Sequence, residues 1–419
     1  VHKQIAKGIL YLTSEILLIG YMVQTGFYNL SKFRTLGDVE QQKVWNEAKS
    51  LYEYVDGDRS LIILLYGIVT LSLILVFFLI AKSSLKQAYR LECQSKKGEQ
   101  ILTLKQELKE LLNGNLHITL LTFPVLGVLM FTILPLVFMI SMAFTNYSVE
   151  GNKLVLFDWV GLENFRKIFD FGDSLGQTFW SVFGWTMVWA VVATFSNYIL
   201  GMLLALFINW KEIRAKKMWR FCFALTVAIP HFVTLLIIKS MLQPEGAVNI
   251  LLRNLGLIGA TQSLPFFTDA TWARVVVILI NIWVGVPYTL LQVTGILQNI
   301  PTELYEAARV DGAGPIVTFM KITLPYMLFV TTPYLITTFT GNVNNFNVIF
   351  LTTEGLPRSV GSTAGKTDLL ITWLYKLTIE NQYFDVGAVV GIMTFVTLTI
   401  VSLVTFTFSG SNRNEEAFR

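Results

Sequence analysis

Charge, cysteine and histidine are all scarce in this chain. Only 14% of its 419 residues are Asp, Glu, Lys or Arg, and it has two cysteines and three histidines. Soluble domains carry about a quarter charged residues, so a water-soluble globule is excluded. Cys93 and Cys222 fall on the expected cytoplasmic side or membrane edge, where a disulfide is not expected. His2, His117 and His231 are scattered and offer no ligand spacing, so no metal site is expected. A membrane-embedded glycosyl transferase would need clustered acids or histidines at a membrane face. A proton-coupled carrier would need a series of intramembrane carboxylates. Neither pattern is present, and no internal repeat points to a secondary transporter. Nucleic acid is not an expected partner.

What fills the chain is apolar: 53% of residues are hydrophobic and the mean hydropathy is +0.57. A bilayer core of about 30 Å needs about 20 apolar residues per helix. Eight stretches qualify, at 9–30, 61–81, 120–144, 179–209, 221–242, 275–297, 324–339 with a polar continuation, and 386–408. The expected fold is an all-α polytopic membrane protein of about eight transmembrane helices. Lys3, Lys7, the basic residues from Lys82 to Lys109 and those from Lys211 to Arg220 all gather on one side. The positive-inside rule therefore puts both termini in the cytoplasm. No small-x-small cleavage site follows the first stretch, which reads as a retained helix. Residues 1–115 form a two-helix extension, 116–409 carry six spans, and 410–419 form a cytoplasmic tail. Within the extension, 82–113 reads as an amphipathic helix on a membrane or partner, or as a solvated linker helix.

Between the sixth and seventh spans runs ELYEAARVDGAGPIVTFMKITLP, from Glu303 to Pro325. Glu306, Ala307 and Ala308 favour helix, and Gly312 ahead of Gly314-Pro315 ends it, so the segment reads as helix, sharp turn and second helix. Small alanines among charges leave a low-profile surface suited to a cleft in another protein.

Amides occur where lipid should be. The run TTFTGNVNNFNVIF places Asn342, Asn344, Asn345 and Asn347 in or just past the seventh span. An amide facing hydrocarbon without a partner costs several kcal/mol, so these side chains face protein or water. On a continuous helix Thr338, Gly341, Asn342 and Asn345 share one face, and amides suit sugar hydroxyls. The sixth span offers Trp283, Gly285, Pro287 and Tyr288: rings to stack on a pyranose, a glycine for close approach, and a proline to bend or unwind the helix. For each of these residues helix packing is the competing role. Gly365-Lys366-Thr367 imitates a phosphate loop, but Val360 stands where the first glycine belongs, so no ATP site is expected.

The Glu306-Ala307-Ala308 triplet, Gly312 after three intervening residues, and Ile322-Thr323-Leu324-Pro325 match in spacing the EAA motif of the membrane subunits of ATP-binding-cassette importers. The runs WVGVPYTLLQVTGILQNIPTELYEAARVDGAG, NVNNFNVIFLTTEGLP and TAGKTDLLITWLYKL resemble the maltose and maltodextrin permease subunit of that class. FDWVGLENF, Phe157–Phe165, is similar to a phrase in its sugar permeases. The resemblance covers roughly the last 300 residues. It implies a six-helix type I importer core with two extra N-terminal helices, in a bacterial cytoplasmic membrane. It also implies a short outer segment like that of Gram-positive forms, without the bulky domain of the enterobacterial subunit.

The same resemblance implies partners: a second permease, two ATPase subunits that bind ATP and magnesium, and an extracellular, lipid-anchored sugar-binding protein. The chain itself then has no cofactor and is not an enzyme. Sugar contacts are implied at Gly285, Tyr288, Thr338, Gly341, Asn342 and Asn345, and ATPase coupling at Glu306, Ala307, Ala308, Asp311, Gly312 and Ala313. Gly341 and Asn347 replace an aromatic and an aliphatic contact of the enterobacterial form. Raffinose-type, galactosidic and glycerol-phosphate permeases share the EAA loop and are the alternative substrates.

Overall fold

The structure is a computed structural model and describes residues 5–46, 51–98, 106, 109, 112–210 and 212–408. Among these, seven helices are long and apolar enough to cross a membrane, or eight if one bent pair is a single span. In hydrocarbon the backbone must satisfy its own polar groups, which a helix does segment by segment. The chain separates into two units, residues 1–165 with 382–389, and residues 166–381 with 390–419. The tail at 410–419 and most of the Leu-rich part of the 82–113 segment lie outside the described residues.

In the first unit α1 (Ile5–Tyr21) continues through Met22–Gly26 into α2 (Phe27–Phe33), and an antiparallel hairpin follows, β1 (Gln42–Asn46) and β2 (Leu51–Val55). Then come α3 (Ser60–Lys96), which absorbs 82–96, and α4 (Leu116–Val128) and α5 (Leu134–Met142), one span joined by Leu129–Ile133. Asp58 closes the loop that carries the hairpin. Its carboxylate contacts the Lys32 ammonium and accepts from the Asp38 and Val39 amides at 3.1 and 3.2 Å. The Lys32 hydrogen bond, with those two amides, holds the Asp58 carboxyl below its usual range.

The FDWVGLENF phrase acts here as a staple. Phe157 is buried with Leu36, Leu64 and Ile68. Trp159 Nε1 donates to the Phe33 carbonyl at 3.0 Å. Asn164 Nδ2 donates to the carbonyls of Ala143 and Thr145 at 3.0 and 2.7 Å, satisfying carbonyls left open past the end of α5.

The second unit is organised by two long helices. After α6 (Glu163–Phe169), α7 (Ser174–Asn209) begins where Asp173 Oδ1 accepts from Leu175 N at 3.0 Å. α8 (Lys216–Ala228), α9 (His231–Met241) and α10 (Ala247–Asn254) lead to α11 (Ala270–Leu297), capped by Asp269 on the amides of Thr271 and Trp272. An Asp or Ser cap of this kind contributes about 1 kcal/mol. α12 (Thr302–Val310), α13 (Pro315–Thr318), α14 (Leu324–Val343), α15 (Phe346–Thr352), α16 (Leu370–Tyr375) and α17 (Phe384–Phe408) complete the order. One buried cluster joins Trp185, Trp189 and Ala193 of α7 to Val276, Val277 and Ile280 of α11 and to Val348 and Ile349 of α15. A second joins Tyr198 and Met202 to Val293, Ile300 and Met327.

Glycines set how closely α7 and α11 approach. A Cβ on Gly201 would lie 2.6 Å from Thr289 Cβ, and one on Gly285 would lie 2.2 Å from Asn197 Nδ2. Small residues permit this spacing between helices in lipid.

Two expectations from the sequence are corrected. The fifth apolar stretch, 221–242, is not a straight span: it bends by 86° between α8 and α9. Pro230 lacks an amide donor and forces Ile229 into extended backbone, ψ 129°. Of the two effects expected of Pro287, unwinding is absent: α11 is continuous from Ala270 to Leu297 with Pro287 inside it.

Candidate functional site

Two regions of the second unit collect the residues singled out by sequence. The first is the helix-turn after α11. Gly312 has φ 73°, a left-handed value that costs glycine little. Its amide donates to Arg309 O at 3.0 Å, and the Ala313 amide donates to Ala308 O at 2.9 Å. This pair of bonds is the Schellman closure of a helix end. Pro315 then opens α13, where a missing amide costs nothing.

The turn is rooted on one side and open on the other. Tyr305 packs with Ile300 and Met327, and its hydroxyl meets Thr323 Oγ1 at 3.1 Å. Ala308 is buried and Ala313 half-buried, whereas Glu306, Ala307, Asp311 and Gly312 are exposed. The expected low-profile surface is therefore Ala307 alone of the two alanines, because Ala308 is spent on anchoring. Val310 is 88% exposed and Ile316 79%. Sequence reading missed these two; their place beside a helix end and a Pro, rather than inside a span, was the available signal.

The second region is a polar seam along α7, α11 and α14. Asn342, 7% exposed, donates from Nδ2 to Thr194 Oγ1 at 2.9 Å, and its carbonyl accepts from Trp189 Nε1 at 3.0 Å. α14 ends at Val343, so Asn345 does not continue the face of Thr338 and Asn342. It caps α15 instead, with Oδ1 accepting from Val348 N at 3.2 Å and Nδ2 donating to Asn281 Oδ1 at 3.3 Å. Asn344 breaks the helical run with ψ 23°, which corrects the single-face expectation. Thr338 is half-buried, Gly341 faces open space, and Tyr288 and Trp283 are exposed.

Three residues of the seam, Thr194, Asn197 and Asn281, escaped sequence reading. Asn197 and Asn281 are intramembrane amides, the same signal that marked Asn342. Asn197 Oδ1 and Asn281 Nδ2 are buried without a protein partner, a cost of about 1–3 kcal/mol each if left so. Tyr198 OH and Thr331 Oγ1 meet at 2.7 Å, and Thr289 Oγ1 and Tyr334 OH at 3.1 Å.

The TAGKTDLL segment is structural. Thr367 and Asp368 are fully buried, and Asp368 pairs with Lys376 at 2.7 Å and accepts from Thr372 Oγ1 and Gly365 N.

Residues 197–412 match the family described as the binding-protein-dependent transport system inner membrane component. That span holds both the closed helix-turn and nearly all of the seam. The chain belongs to this family. The transport component is 34% identical to a maltodextrin transport system permease protein of Bacillus subtilis, over 99% of this chain and 93% of the relative. It is also 34% identical to a galactooligosaccharides transport system permease protein of the same organism, over 99% of this chain and 95% of the relative. A maltose/maltodextrin permease protein of Escherichia coli K12 is 36% identical over 58% of this chain and 48% of its own length. Among solved structures, a bacterial ABC transporter that imports the acidic polysaccharide alginate has a chain aligned with TM-score 0.60, covering 74% of this chain and 100% of that one at 22% identity. The fold of the transport component is thus that of an importer membrane subunit.

Proposed function

We propose that this transport component is the permease subunit of an ATP-driven importer of neutral oligosaccharides, with maltodextrins as the preferred class. The observation that carries the reading is the rooted helix-turn at 302–313. Its base is locked into the bundle by Tyr305 and Ala308, and its outer surface offers Glu306, Ala307 and Val310. Such an element carries force into α11 and α14 rather than performing chemistry. The names of the maltodextrin and maltose relatives support the sugar class.

In this reading the turn faces the cytoplasm with both termini, in a bacterial cytoplasmic membrane, and docks on one of two ATPase subunits that bind ATP and magnesium. A second permease completes the pathway, and an extracellular binding protein delivers the sugar. Residues 116–409 supply the importer core. Tyr288, Thr338, Gly341, Asn342 and Asn345 line the transit site. Asn342 and Asn345 exchange their present partners, Thr194 and Asn281, for sugar hydroxyls as the helices rock, and Gly285 sets the helix spacing that makes room.

Uptake of labelled maltotriose by a host lacking its own system and expressing all subunits tests this. Saturable ATP-dependent uptake that Asn342→Ala abolishes is expected. An intact complex that takes up no maltotriose refutes the substrate. A galactooligosaccharide is the second reading, favoured by the equally similar relative named for it.

A further inference from the structure

A cavity of about 310 Å³ lies in the second unit away from the seam, lined among others by Lys239, Gln243, Phe266, Phe267, Thr268 and Glu354. None of the transit-site residues contributes to it. Its wall at 265–268 leads directly into the Asp269 cap of α11, at the opposite end of that helix from the 302–313 turn. α11 is about 42 Å long at 1.5 Å per residue. With the turn on the cytoplasmic side, as proposed above and on which this inference rests, the cavity opens where substrate arrives.

Both walls are pre-formed. On one side fully buried Asn249 ties the loop closed, donating to Gln243 O at 2.9 Å and accepting from Leu264 N at 2.9 Å. Arg253 adds bonds to the carbonyls of Pro244 and Gln262 at 2.8 Å each. On the other side Glu354 sits at φ 53°, in the left-handed region disfavoured for residues with a Cβ. Its carbonyl accepts from Lys376 Nζ at 2.7 Å, and Lys376 is itself held by fully buried Asp368. Thr353 is fastened to Thr367 by a 2.8 Å bond. That backbone closes the end of α15, the Glu354 amide donating to Ile349 O at 3.0 Å, and these bonds fix where the side chain starts.

The side chain that starts there is a carboxylate paired with the ammonium of Lys239, on α9. The pair makes the rim electrically neutral while leaving both strong donors and strong acceptors there. An anionic ligand meets Glu354 and a cationic one meets Lys239, whereas a hydroxyl donates to one and accepts from the other. Phe267, half-buried beside the core residue Phe266, offers apolar surface for the face of a sugar ring. We infer that this cavity is an entry subsite that takes the terminal ring of a neutral saccharide before it reaches the seam. Its volume is at the low end of the roughly 300–1,000 Å³ typical of ligand pockets, which suits a chain end rather than a whole oligosaccharide.

The test uses the assembled importer in nanodiscs without its binding protein. Saturation-transfer NMR is read from maltotriose, a galactooligosaccharide and a uronate-terminated oligosaccharide, alongside uptake of the two neutral sugars by the complete system. For the transported sugar, the subsite predicts a signal that survives Asn342→Ala but falls at least about threefold in both Phe267→Ala and Glu354→Gln. Glu354→Gln also leaves Lys239 unpaired, so it should gain signal from the uronate sugar relative to wild type; this gain is expected only of a folded cavity. A signal lost in Asn342→Ala and unchanged in both cavity variants overturns the subsite and leaves the importer reading intact. Transport with no saccharide signal in the unmutated complex overturns it as well. A complex that transports neither neutral sugar refutes the functional reading, and the subsite falls with it.

Discussion

Replacing Gly285 by alanine separates two accounts of that residue. The added Cβ would sit 2.2 Å from Asn197 Nδ2 and 2.7 Å from its Cγ, well inside contact distance. Asn197 is 5% exposed and lies on α7, so it has little room to withdraw. Relief must come from an off-rotamer amide or from separation of α7 and α11, where Gly201 already touches Thr289. Overpacking of this kind costs about 1–3 kcal/mol. Gly285→Ala should therefore lower the unfolding midpoint of the purified complex and reduce maltotriose uptake. Adding Asn197→Ala removes the obstruction and should restore most of both, a coupling of about 1–2 kcal/mol between the two substitutions. The assay is a four-protein cycle read by denaturant unfolding and by uptake. Additive stability effects, or a Gly285→Ala protein as stable as wild type, would refute the packing argument. Restored stability without restored uptake would instead return Gly285 to direct sugar contact.

Glu306→Lys and Ile316→Asp alter the outer face of the helix-turn, so the ATPase should be lost in co-purification while the permease still folds; retention with normal transport sinks the docking role. Lys376→Met leaves Asp368 charged and buried, which typically costs about 3–5 kcal/mol, and the Lys376→Met/Asp368→Leu pair should unfold nearer to wild type in the same titration. The depressed Asp58 carboxyl stabilises the folded loop above the ordinary carboxylate value, near about 4, and that contribution is lost as pH falls through the depressed one. Protection of the Asp38 and Val39 amides, taken relative to their intrinsic exchange rate at each pH, should thus hold at pH 5, fall in stronger acid, and be low at every pH in Asp58→Ala.

Spans are legible in sequence because burial in lipid demands a long apolar run, and α3, α7, α11 and α17 answer to that rule. The rule says nothing of direction within a run. The chain turns by 86° at Pro230 because one imino acid outweighs the apolar residues on either side. Likewise the one-face reading of Thr338 to Asn345 assumed a helix through Asn344, whereas Asn345 serves as the cap of a new one. A polar side chain that satisfies the backbone of its own chain is indistinguishable, by composition, from one awaiting a sugar. The Schellman turn was legible because only glycine takes its φ without cost. The hairpin at 42–55 was not, since its charged residues hide the alternation that marks a strand.

The staple built from Phe157, Trp159 and Asn164 also governs what can hang above it. The Asn146 amide donates to Asp158 O at 3.1 Å, and Asn146 Oδ1 accepts from Asp158 N at 2.7 Å. The excursion between them is thus tied shut at its neck, while its tip at Gly151 and Asn152 is exposed and left-handed. Cargo inserted at such a tip adds mass without prying apart the helices below. Enlarging this crown at its tip therefore leaves the Asn146–Asp158 neck in place, so added length there need not loosen α5.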